Sequence, residues 1–141
     1  MTIAFSKFNT FVADLAEKVH NLSSDSLKVM LTNTAPSATN AVKADITEIA
    51  AGNGYTAGGN SAAITSCTQT AGTLKLILAN PATWTATGGL IGPFRYVVLY
   101  NSTPTAGNLI GFYDYGSALT LSSGDNFSVQ FDATNGVLTL T

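Results

Sequence analysis

Near the N-terminus Phe8, Phe11, Val12, Leu15, Val19 and Leu22 recur at spacings of three and four, the apolar stripe of an amphipathic helix. The rhythm predicts a helix over residues 6–21, with Ser6 as N-cap and Asp14 paired to Lys18 one turn on. Ser23-Ser24-Asp25-Ser26 ends it. A single helix of this kind is marginal alone, so its stripe must dock on the chain's own sheets or on a twin subunit.

From Leu27 the period changes to two. Leu27, Val29 and Leu31 alternate with Lys28, Met30 and Thr32, which predicts a half-buried strand. Pro36 opens a long polar connection. Within it Ala44 to Ala50 predicts a short helical turn with Ile46 and Ile49 facing inward, and Gly52-Asn53-Gly54 and Gly58-Gly59 frame Tyr55 in an irregular loop. Strand patterns then follow at 63–70, 74–78, 83–87, 94–100, 109–115, 118–121, 127–132 and 137–141. Phe94, Tyr96, Val98 and Tyr100 fall on one face of their run, and Asn135-Gly136 signals a hairpin. About eight short strands with frequent turn signals predict a mainly β chain, an antiparallel jelly-roll-like β-sandwich. The expected organisation is a single domain, 1–141, with the helix at 6–21 and the sandwich at 27–141.

Composition narrows the function. Charged residues make up 10% of the chain, against about 25% in an average soluble domain. A neutral surface of short side chains costs little to desolvate and loses little entropy when covered. That suits a protein packed against other proteins. The scattered Lys7, Lys18, Lys28, Lys43, Lys75 and Arg95, in a chain of net charge −2, argue against nucleic acid, which needs clustered cations. No apolar run reaches the roughly 18 residues of a membrane span, and Met1 to Lys7 lacks the pattern of a signal peptide.

Candidate chemistry adds little. Cys67 and His20 are the sole residues of their types, too few for a zinc site, and the sequence gives His20 no orienting partner for a Ser–His–acid set. Gly52-Asn53-Gly54-Tyr55-Thr56-Ala57 fits the loose G-x-G-x-x-G/A pattern. Gly58-Gly59-Asn60 follows where a helix would have to start, so no cofactor is expected. Of the eight acidic residues, Asp45, Glu48 and Asp114 are the only ones worth weighing for acid–base work, and no pair stands at a fixed spacing. Asp114 lies between Tyr113 and Tyr115 in a strand and so points away from both. The expectation is a non-enzyme. Trp84, Tyr96, Tyr100, Tyr113 and Tyr115 are weighed as a sugar-stacking platform against a plain core role.

Three stretches carry a resemblance. They are Ala44-Asp45-Ile46-Thr47-Glu48-Ile49 leading into Gly52-Asn53-Gly54-Tyr55; Phe94-Arg95-Tyr96-Val97-Val98-Leu99-Tyr100-Asn101; and Gly124 to Phe131 with Asn135-Gly136. With these the chain, from about Leu27 onward, resembles the capsid decoration, or cement, proteins of tailed bacteriophages. Some of those have a jelly-roll fold and clamp neighbouring major capsid proteins from outside. The resemblance implies a virion structural protein on the outer capsid surface, with the major capsid protein and further copies of itself as partners. A tail or receptor-binding component that recognises host-surface carbohydrate is the alternative. Phe5, Phe8, Phe11, Tyr55, Tyr113 and Tyr115 are the candidate interface residues.

Overall fold

The structure, a computed structural model, describes residues 3–141. Along the chain it forms β1 (Phe5–Lys7), α1 (Phe11–Ala16), β2 (Leu27–Thr32), a 3-10 turn (Lys43–Asp45), β3 (Asn60–Ser61), β4 (Ile64–Thr70), β5 (Thr73–Leu78), β6 (Trp84–Thr85), β7 (Ile91–Asn101), β8 (Leu109–Leu121), β9 (Asn126–Phe127) and β10 (Leu138–Leu140). Strands take 43% of the chain and helix 6%, which makes it mainly β. Among the described residues the strands form a five-stranded sheet in the order β1-β8-β7-β2-β3, a three-stranded sheet β10-β5-β4 and a two-stranded ribbon β6-β9. Every pairing is antiparallel.

Two apolar clusters cover the two faces of the five-stranded sheet. Val29, Leu31, Val97, Leu99 and Ile110 join Leu76 and Leu78 of β5 and Trp84 of β6 in the larger cluster. Met30, Val98, Tyr100 and Leu109 turn the other way and pack with Phe8 and Ile46 in the smaller one. β2 is therefore not the half-buried strand its alternation predicts. Met30 and Thr32 are as buried as Leu31, because a strand in the middle of a sheet covered on both sides has no wet face.

The N-terminal helix of 6–21 is corrected. Ser6 is a strand residue paired with Phe112, and helix runs only from Phe11 to Ala16, with Thr10 at its N-cap position. The stripe misleads because its members serve different clusters: Phe8 belongs to the smaller one, and Phe11 and Leu22 to the larger. Val12 is 51% exposed, so it lies off the buried side. Lys18 takes a left-handed φ of 73° just past the helix. Asp14 therefore meets Asn108, whose Nδ2 donates to its Oδ2 at 3.0 Å, rather than Lys18. The helix docks within the chain.

Three further expectations change. The stretches 109–115 and 118–121 are one strand, β8, interrupted by a bulge. Phe94 does not share a face with Tyr96, Val98 and Tyr100: the register shifts between Phe94 and Tyr96, which turns Phe94 into the larger cluster with Val97 and Leu99. Asn135-Gly136 does not close a two-residue hairpin. The Gly136 N–H donates to the Asp132 carbonyl at 3.0 Å, and the chain continues into β10, which pairs with β5.

Candidate functional site

Tyr115 owes its position to the β7–β8 pairing. Phe94 faces Leu119 and Tyr96 faces Asp114, so Tyr115 to Ala118 stand opposite Arg95 alone. Gly116, at φ 101°, supplies the turn that such a bulge needs. Asp114 anchors it. Its carboxylate takes Arg95 Nε at 2.7 Å and Arg95 Nη2 at 2.9 Å, and its Oδ1 also accepts the Gly116 N–H at 2.8 Å. The guanidinium beside it holds the Asp114 carboxyl below its ordinary value.

With Asp114 turned to Arg95, its neighbours Tyr113 and Tyr115 turn the other way, into a groove of about 500 Å³. Ile3, Phe5, Val97, Tyr113 and Tyr115 of the five-stranded sheet line one side, and residues 127–132 with Val137 line the other. The rings pack in two sets: Phe5 to Tyr113 at 5.3 Å and Tyr113 to Phe131 at 6.3 Å, and separately Tyr115 to Phe127 at 6.1 Å between centroids. β1 places Phe5 here by pairing it with Tyr113. Gly111, opposite Lys7, leaves room for that: a Cβ there would run into the Phe5 ring and the Ser6 carbonyl. Burial pushes the Tyr113 phenol up to about 12, so it stays neutral. Among the described residues Asp132 is the one charged residue in the lining. The groove can hold apolar or aromatic groups and has little to offer a charged ligand.

The six candidate interface residues thus divide. Phe5, Tyr113 and Tyr115 converge on the groove. Phe8, Phe11 and Tyr55 are 0%, 1% and 2% exposed and are core residues of the chain itself; as surface contacts they are corrected. Tyr55 is buried for a polar reason as well. Its hydroxyl accepts the Leu31 N–H at 3.1 Å and donates to Glu48 Oε1 at 2.7 Å, tying the 43–59 connection to β2. The sugar platform loses members the same way, since Trp84 and Tyr100 are 1% and 3% exposed. Val129 and Phe131, which complete the groove, were visible only as an alternating run.

The acids each have a local task. Asp45 Oδ2 accepts the Ala41 and Val42 N–H groups at 2.9 and 3.2 Å, and Glu48 receives Tyr55 and lies 3.8 Å from Lys43 Nζ. No cluster of three or more His, Cys, Asp or Glu that could hold a metal occurs among the described residues. Nor is any helix there long and apolar enough to cross a membrane.

One polar cluster escaped sequence reasoning. His20 is 4% exposed. Asn101 Nδ2 donates to Asp25 Oδ2 at 2.6 Å and lies 3.1 Å from His20 Nδ1. An amide N–H can only donate, so Nδ1 accepts and the ring proton sits on Nε2. Nε2 has no hydrogen-bond partner among the described residues and is 3.9 Å from Asp14 Oδ2. Burial lowers the His20 pKa, against the opposing pull of Asp14 and Asp25. Compared with known proteins, the chain matches no family model, no curated protein and no solved structure.

Proposed function

We propose that this chain is a virion structural protein of a tailed bacteriophage, a capsid decoration protein that binds the outer face of the major capsid protein shell and stabilises it. The observation that carries the reading is the groove: an aromatic, almost uncharged cleft in a chain of which only 10% is charged. Aromatic anchors in a desolvated pocket supply most of the energy of protein contacts, and a neutral surround adds little desolvation cost. Many copies on one shell, self-associated as homo-oligomers, would turn a modest contact into firm attachment by avidity.

The jelly-roll form of the sandwich belongs to the same proposal. β7 lies beside β2 after the intervening strands β4 and β5 have formed another sheet, and β10 lies beside β5. Such non-sequential neighbours fit Greek-key connections. The function is non-enzymatic, binding without nucleic acid or membrane. Carbohydrate recognition by a tail component keeps only Tyr113 and Tyr115 of its aromatic platform in a groove, which favours the shell reading.

Co-sedimentation tests it. The purified chain is mixed with shells of its source phage from which it has been stripped. Saturable binding, weakened at least tenfold in Tyr115→Ser, is the expected result. Shells that leave the chain in solution, together with Tyr113-dependent binding on a glycan array, would replace this reading with the carbohydrate one.

A further inference from the structure

Residues 127–132 border the groove by their edge. Phe127, Val129 and Phe131 are half-buried against the core, while Ser128, Gln130 and Asp132 are exposed, the period of two that extended chain produces. Yet all six residues line the groove. Their side chains point alternately to opposite faces, so six in a row can border one cleft only if the backbone edge faces it.

That edge is open. Phe127 pairs with Trp84, and the Phe131 N–H donates to Asn80 Oδ1 at 2.8 Å. Ser128, Val129 and Gln130 have no backbone hydrogen bond among the described residues. In extended chain the N–H and C=O of alternate residues point to the same edge. With Phe131 turned to Asn80, Val129 turns the same way, and Ser128 and Gln130 present their groups on the opposite edge. Unpaired strand edges of this kind are where another strand adds. Ile3 with Phe5, and Tyr113 with Tyr115, each two residues apart, supply side chains from the other wall.

Taking the shell protein as the partner proposed above, we infer that the groove receives one extended, uncharged segment of it. The segment adds as a strand along Ser128–Gln130 and lays alternate side chains on Phe5, Tyr113 and Tyr115. The open edge and the lining argue for this occupant: an unpaired strand edge takes extended chain, and a lining of apolar and neutral groups offers nothing to pair with a charged one. Asp132, the one charged lining residue among the described residues, is already engaged: Oδ1 accepts the Thr134 and Asn135 N–H groups, each at 2.8 Å, and Oδ2 takes Asn135 Nδ2 at 2.9 Å.

Amide hydrogen exchange of the whole chain, free and bound to stripped shells of the source phage, tests this. Binding is expected to slow exchange at Ser128 and Gln130 at least tenfold. Gln130→Pro, which removes one N–H from the open edge, should bind at least tenfold more weakly at unchanged melting temperature, while Gln130→Ala should bind like the parent. Shell binding that leaves these amides exchanging as in the free chain overturns the strand addition and leaves the decoration role standing. Protection that rises with protein concentration without shells overturns it in favour of a second copy. A chain that binds no shell removes the functional reading and this inference together.

Discussion

Arg95 holds Asp114 through two parallel hydrogen bonds, Nε to Oδ1 at 2.7 Å and Nη2 to Oδ2 at 2.9 Å. The pair stands at the base of the bulge that carries Tyr115 into the groove. A forked contact of this kind fixes direction as well as distance. Both side chains are well exposed, so the contact orients more than it stabilises. Asp114→Ala should leave the melting temperature almost unchanged but free the bulge. The check is the Tyr115 ring in an NMR spectrum: its ring-current shift from Phe127 should move toward the random-coil value, with shell affinity falling several-fold.

His20 should make the fold sensitive to mild acid. Burial lowers its folded pKa below the ordinary 6.5, so in the interval below 6.5 the unfolded chain binds more protons than the folded one. Stability then falls as pH drops through that interval and levels off below the folded pKa. Urea unfolding at pH 7.5 and 5.5 should show the lower midpoint at 5.5. In His20→Gln the difference between the two should shrink.

Phe8 and Phe11 act inside the chain. Each is essentially fully buried, one on each side of the central sheet. Truncation of either to Ala should cost about 3–5 kcal/mol, read as a lower denaturation midpoint. Light scattering should show the same oligomeric state as the parent, because both rings are buried within the chain itself.

Tyr55 offers a finer cut. Tyr55→Phe keeps the ring but removes the acceptor for the Leu31 N–H and the donor to Glu48. Leaving a buried N–H unpaired costs about 1–3 kcal/mol. Chemical denaturation should show that loss, and exchange at the Leu31 amide should quicken.

What the sequence made legible follows from how locally each signal is set. β2, β5 and β7 read as strands because their alternation and β-branched runs need no knowledge of neighbours. The direction of Asp114 was legible too, since a strand residue between two tyrosines points away from both; its pairing with Arg95 was not, because the β7–β8 register sets it. The N-terminal segment was not. A spacing of three and four looks helical even when Phe8 and Phe11 serve opposite sides of a sheet, and only the tertiary pairing of Phe5 with Tyr113 makes residues 5–7 a strand. Nor could the turn of Phe94 to the other face be foreseen, because a register shift against β8 creates it. Of the six aromatic residues singled out, Phe5, Tyr113 and Tyr115 line the groove. Phe8, Phe11 and Tyr55 lie in the core, because an aromatic side chain marks a core as readily as a contact surface.

A cryo-microscopy map of the intact source particle tests the central claim most directly. The expected density places this chain on the outside of the shell, with the groove walled by Phe5, Tyr113, Tyr115 and Phe131 pressed against a major capsid protein and filled by a strand of it. Density for the chain at the tail, or on the shell with that groove open to solvent, would contradict the account.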